Sequence, residues 1–129
     1  MTQEDKNLLV KDLCARLPYG VKIRVEYPFM EEKDWQPENF YGLDLRRDVH
    51  VGTSVRTEEF KPYLRPMSSM TEVESEKFEE FLELQSEYTT GADILFKYDM
   101  FDWLNSRHFD YRQLIEKGLA IEAPEEMYN

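Results

Sequence analysis

Hydrophobic residues along this chain follow first a helical and then an alternating period. From Gln3 to Leu17, Leu9, Val10, Leu13, Cys14 and Leu17 recur at helical spacing and define one apolar stripe. Thr2 stands at the cap with Asp5 three residues on, an imperfect capping box because Asp is shorter than Glu. Pro18-Tyr19-Gly20 ends this helix. Val21, Ile23, Val25 and Tyr27 then alternate with Lys22, Arg24 and Glu26, the pattern of a half-buried strand. Residues 28–39, with Pro28, Pro37 and Glu31-Glu32-Lys33-Asp34, read as a polar connection. Leu43 and Leu45 before Arg46-Arg47-Asp48, with Val49 and Val51 after it, predict a hairpin that ends near Gly52.

Pro62 and Pro66 break regular structure, so residues 57–70 are expected to lie irregularly over the core through Phe60, Tyr63, Leu64 and Met67. Thr71 and Glu74 form a second capping box, and a helix is predicted from Glu72 to Tyr88, stopped by Thr89-Thr90-Gly91. A short strand is expected over Ile94–Tyr98 and a helix over Met100–Arg107. Asp110 is placed to cap a last helix over Tyr111–Lys117, with Gly118 at its left-handed end. Leu119-Ala120-Ile121 reads as a terminal strand and 124–129 as a loose tail. The fold expected is α+β: a small antiparallel sheet of three to five strands with helices packed on one face, in a single domain spanning 1–129.

Composition sharpens this picture. At 129 residues, with 14% aromatic and 41% hydrophobic side chains, the chain has enough apolar surface for one core. One cysteine, Cys14, excludes an internal disulfide and reads as a buried, inert thiol on the first helix. The polar start, Met1 to Lys6, and the lack of a long apolar run point to a cytoplasmic protein. A net charge of −11 disfavours nucleic acid and anionic membrane as partners. That charge is uneven. Residues 1–65 carry 11 basic and 12 acidic side chains, whereas 66–129 carry 5 and 15.

Much of the excess falls on the middle helix. On a helical wheel Val73, Phe78, Phe81, Leu82, Leu84 and Tyr88 share one half. Glu72, Glu76, Glu79, Glu80, Glu83 and Glu87 crowd the other within an arc of roughly 100°. The like-charged pairs 72/76, 76/80, 79/83 and 83/87 cost the helix about 1–2 kcal/mol at low salt. These six glutamates are the candidate docking surface for a basic protein partner. Two plainer readings stand beside it: a solvated face, or pairing with the chain's own Arg46, Arg47, Arg56 and Arg65.

Other residues offer less chemistry. His108 and Asp110 suggest an acid–base pair, but Asp110 already serves as a cap. His50, between Val49 and Val51, points to the polar side of its strand. The two histidines lack carboxylates at ligand spacing, so no metal site is expected. Ser68 and Ser69 lack a glycine-flanked elbow, and five scattered glycines build no phosphate loop, so no catalytic residue or cofactor site is assigned. Trp35 lies in a polar loop, where exposure points to recognition, and Trp103 belongs to a core helix.

Three strings carry a resemblance: Asp12-Leu13-Cys14-Ala15-Arg16-Leu17-Pro18-Tyr19-Gly20-Val21, Lys61 to Thr71, and Asp102-Trp103-Leu104-Asn105 with His108 to Arg112 and Leu114 to Pro124. Together they resemble a family of uncharacterised proteins from gut Bacteroidetes and their phages or mobile elements. Residues 22–60 share little of the likeness. It implies a bacterial, cytoplasmic origin and no particular chemistry. The function expected is a non-enzymatic protein-binding or regulatory module acting through the acidic helix. The alternatives are a small enzyme using His108 and Asp110, and a structural or assembly protein of a mobile element.

Overall fold

Helix α1 (Gln3–Arg16) starts where the capping box places it: the Asp5 amide donates to Thr2 Oγ1 at 3.0 Å and the Thr2 amide to Asp5 Oδ2 at 3.2 Å. A tight turn over Leu17–Tyr19 and Gly20, at φ 71°, end it. In this computed structural model, which describes residues 2–26, 30–40, 42–43, 49–50, 54–55, 60–87 and 92–128, the buried face of α1 is Leu9, Asp12, Leu13 and Arg16. The expected stripe is therefore rotated. Val10 is half-buried, while Cys14 and Leu17 are exposed, so the thiol read as buried faces solvent. Apolar periodicity missed the rotation because two of the four inward positions hold opposite charges that satisfy each other.

The strands are β1 (Lys22–Val25), β2 (Pro37–Asn39), β3 (Gly42–Leu43), β4 (Val49–His50), β5 (Ser54–Val55), β6 (Phe60–Leu64) and β7 (Ile121–Glu122). They form a mostly antiparallel four-stranded sheet, ordered β2-β1-β6-β7, and a separate sheet, β3-β4-β5. The expected α+β architecture is present, with two corrections. The hairpin β3–β4 exists, but it pairs with β5 and not with β1; Leu45, Arg46 to Asp48 and Val51 lie outside the described residues, as does Tyr27. The connection 28–39 and the segment 57–70, both read as irregular, contribute β2 and β6.

Strand β6 is central although Pro62 sits in its middle. Register explains the tolerance. Ala123 donates to the Leu64 carbonyl, so the even positions of β6 direct their backbone groups toward β7. Pro62 shares that parity, and β7 covers the edge only at Tyr63 and Leu64. The missing N–H therefore falls where no strand asks for one. Phe60, Pro62 and Leu64 are buried with Val21, Ile23 and Val25, against Leu9 and Leu13 of α1.

Helices α2 (Glu72–Glu87) and α3 (Ala92–Ser106) pack on each other. The second capping box forms as read: Thr71 N–H donates to Glu74 and the Glu74 amide to Thr71 Oγ1. Residues 94–98, expected as a strand, are helical in α3. That helix stops at a left-handed residue, His108 at φ 65°. The Phe109 amide reaches back to the Leu104 carbonyl and the His108 amide to Asn105, a Schellman ending in which histidine takes the usual glycine position. The expected helix over 111–117 is a run of turns: Asp110 accepts from the Leu114 and Ile115 amides, Gln113 is at φ 60°, and Gly118 closes the segment at φ 75°. From Pro124, where a loose tail is expected, a turn leads to Tyr128, whose hydroxyl is hydrogen-bonded to two strands.

Among the described residues the core has two apolar clusters. One joins α1 to the four-stranded sheet with Leu114, Leu119 and Ala120. The other gathers Phe81, Met100, Leu104 and Phe109, flanked by Met67, Met70, Phe78 and Trp103. A charged seam ties α1 to the 109–112 segment, where the second cluster begins. Asp12 accepts from Arg16 Nε at 2.7 Å, Arg16 Nη2 at 3.1 Å and Arg112 Nη1 at 2.8 Å. Arg16 Nη2 also donates to the Phe109 carbonyl at 2.6 Å. Asp12 and Arg16 both have 0% exposure. Removing one partner strands a buried charge, so Asp12→Ala is expected to lose about 3–5 kcal/mol of stability by urea unfolding. Asp12→Leu combined with Arg16→Met is expected to lose less than the single change, because the fully buried charge is then gone and only the partly exposed Arg112 loses its carboxylate.

Candidate functional site

Helix α2 carries a row of carboxylates. Glu72, Glu76, Glu79, Glu80 and Glu83 are all exposed; the side chain of Glu87 lies outside the description. Glu80 contacts Lys77 at 3.9 Å, too long and too exposed to neutralise it. Glu83 has an interaction of its own. Among the described residues no cation pairs with Glu72, Glu76 or Glu79. Arg65, one of the arginines expected to cover this face, turns inward. It makes a two-pronged contact with Glu74, at 2.7 and 2.9 Å, and its guanidinium lies 4.3 Å from the centre of the Phe109 ring. Arg46, Arg47 and Arg56 lie outside the described residues.

Two apolar side chains predicted on the inner half of α2 are in solvent. Val73 is 74% exposed and Leu82 44%. By helical geometry they flank the acidic arc, one on each side. Inside, Glu74 occupies the position opposite the arc and is buried by its Arg65 contact. The Arg65 hydrogen bonds, against the opposing effect of burial, hold its carboxyl down at about 2. The helix is therefore anchored by a carboxylate at its inner N-terminal corner and carries the rest outward.

An open depression of about 840 Å³ lies beside the N-terminus of α2, walled by Arg65, Glu74, Arg107, Glu122, Glu125 and Tyr128 among others. Its charges are mixed in sign, and His108 does not line it. Instead, the Tyr128 ring stacks on the imidazole, with centroids 3.7 Å apart and planes 17° from parallel. Burial, and then the nearby Arg16 and Arg65 guanidiniums, lower the His108 pKa to about 4, so the ring is neutral near pH 7. Nδ1 of His108 is buried and has no hydrogen-bond partner among the described residues. Asp110, the other half of the expected acid–base pair, directs both oxygens at backbone amides. The pair suggested for acid–base chemistry is engaged in holding loops.

The remaining sequence-marked residues also have structural settings. Trp35 is half-buried, with Arg24 at 5.1 Å from its ring centre. Trp103 packs between Phe81 and Phe109, as expected of a core residue. The side chain of His50 lies outside the description. Among the described residues no cluster of metal-ligating side chains occurs, and no helix is long and apolar enough to cross a membrane. Sequence reasoning missed Tyr128, whose partners lie 65 and 106 residues away along the chain, and the inward turn of Arg65 onto Glu74. The one available signal was their position beside the strongly patterned Thr71–Glu74 and Leu119–Ile121 segments.

Neither protein-family models, curated proteins nor solved structures match this chain. The geometry therefore carries the functional argument.

The His108 setting has a measurable consequence. A folded-state pKa near 4 against 6.5 unfolded means that the unfolded chain binds the proton first. Stability is then full above about pH 6.5 and declines as the pH falls toward 4, by up to about 3 kcal/mol. Glu74, lowered from 4.5 to about 2, extends the loss to more acid conditions. Urea unfolding of the native protein between pH 7 and 4 is expected to show this decline. His108→Gln is expected to flatten it.

Proposed function

We propose that this chain is a non-catalytic protein-binding module that docks a basic partner on the outer face of α2. One observation carries the reading: an acidic arc is bordered on both sides by exposed apolar side chains, Val73 and Leu82, while Arg65 is turned inward to Glu74. A purely solubilising face has no use for a valine that is three-quarters in water. Charge together with flanking apolar contact suits a partner segment bearing Lys or Arg beside Leu, Ile or Met. The charges steer encounter and set orientation, and the apolar pair supplies burial.

The setting we favour is the bacterial cytoplasm. An exposed, unpaired Cys14 fits a reducing compartment, and the family resemblance points to bacteria. The partner is then another protein, since a net charge of −11 repels nucleic acid.

The test uses a synthetic amphipathic helix of alternating Lys and Leu faces as probe, with binding followed by fluorescence anisotropy. The native chain is expected to bind it, more weakly as salt rises. Replacing Glu76, Glu79 and Glu80 by Gln is expected to weaken binding by roughly tenfold at low salt and to reduce the salt dependence. Val73→Ser with Leu82→Ser is expected to weaken binding without changing the salt slope. Equal binding by the native chain and the Gln variant removes the reading.

A further inference from the structure

One edge of strand β6 changes partner within a few residues. Phe60, Lys61 and Pro62 pair with Val25, Arg24 and Ile23 of β1. Three residues beyond the last pair, the Arg65 amide donates to the His108 carbonyl and the Asp110 amide donates to the Arg65 carbonyl. The strand thus runs from β1 to the 108–110 segment, and between them lies one rung. Continuing the register places Lys22 opposite Tyr63 at that rung. A side chain closes it: the Lys22 amide donates to the Tyr128 hydroxyl at 2.9 Å, and that hydroxyl donates to the Tyr63 carbonyl at 2.7 Å. A phenol stands in for a backbone hydrogen bond where one strand leaves and another begins.

The same residue covers the imidazole next door. The Tyr128 ring lies flat on His108, the left-handed residue that ends α3. Tyr128 therefore joins β1, β6 and the end of α3 through one side chain. Burial raises its pKa to about 12, so the hydroxyl keeps its proton and serves as donor and acceptor together. The rest of the segment is lightly held. Ala123 is fixed to the Leu64 carbonyl at 2.8 Å, the Met127 amide closes a turn onto Pro124 at 3.0 Å, and Glu125 and Glu126 are exposed. Neither apolar cluster contains a residue from 124–128.

We propose that residues 124–128 form a strap latched by Tyr128, which opens locally and frees the Lys22–Tyr63 rung, the His108 face and one wall of the adjoining depression while both apolar clusters stay folded. Opening breaks two short hydrogen bonds and one ring stack, and the groups these contacts release are polar or aromatic. Water can take over the amide, the carbonyl and the imidazole. Closing requires ordering only a few residues, so the two states differ by much less than global unfolding. Because Pro124, Glu125 and Tyr128 line the depression, its shape changes with the latch. The acidic face of α2 plays no part in this argument, so the two proposals stand or fall separately.

Native-state hydrogen exchange tests the strap in the unaltered protein. In low denaturant the Lys22 amide is expected to exchange through an opening distinct from, and easier than, that of the Leu13 amide inside α1. Exchange of Lys22 and Leu13 through one shared global opening overturns the proposal. Tyr128→Phe keeps the ring and removes the hydroxyl. It is expected to speed Lys22 exchange by roughly tenfold, with Lys22 still exchanging ahead of Leu13. Unchanged Lys22 exchange in this variant overturns it as well.

Discussion

A guanidinium with no exposed surface organises this molecule. Arg16 sits on α1 at a position that a helix of this kind ordinarily fills with an apolar residue, and its partners define what surrounds it. Asp12 neutralises it from one turn earlier, and Arg112 joins the same carboxylate from the far side. The Phe109 carbonyl receives its remaining short hydrogen bond, and the Tyr111 ring lies 5.2 Å beneath it. A buried ion pair gives little net stability relative to well-packed apolar residues. Its effect is on registry. Only one placement of the 108–112 segment satisfies the carboxylate, the carbonyl and the ring together, and that placement fixes the end of α3 against the sheet.

Charge balance inside the fold follows from the same seam. In the buried or half-buried layer Arg16 and Arg112 meet Asp12, Arg65 meets Glu74, and Asp110 is taken up by backbone amides. The second half of the chain holds far more acid than base, so after these pairings its surplus has nowhere to go but outward. Helix α2 carries much of it. Its inner corner is a satisfied glutamate, its outer arc exposed glutamates, and the transition between them is marked by Val73 and Leu82. The reading of α2 as a docking surface rests on that arrangement of charge and exposed apolar area.

What the sequence disclosed, it disclosed through local physics. Both capping boxes, the alternation of Val21, Ile23 and Val25, the left-handed Gly118 and the antiparallel pairing of β3 with β4 depend on neighbours within a few positions. The misreadings share a different cause. Pro62 argued against a strand because a missing N–H is harmful only where a partner seeks it, and the edge it faces depends on β7, some sixty residues later. Asp12 and Arg16 looked like surface residues because their partners lie beyond residue 108. His108 looked chemical because Asp110 stands two residues on, whereas its backbone takes the left-handed position that ends α3. The acidic arc was legible as a pattern on α2; the exposure of Val73 and Leu82 was not, since it depends on what α3 leaves uncovered.

The lengths of these connections constrain how the molecule is made. Arg16 finds its carbonyl 93 residues downstream and the Lys22 amide its phenol 106 residues downstream. A ribosome delivers the chain from its beginning, so α1 and β1 emerge long before the groups that complete them. Until residues past 112 leave the tunnel, the inward side of α1 is an amphipathic surface with a hydrated ion pair in its middle. That hydration keeps the nascent helix from presenting an unbroken oily stripe to its neighbours in the cell, and the water is shed only when the 109–112 segment arrives.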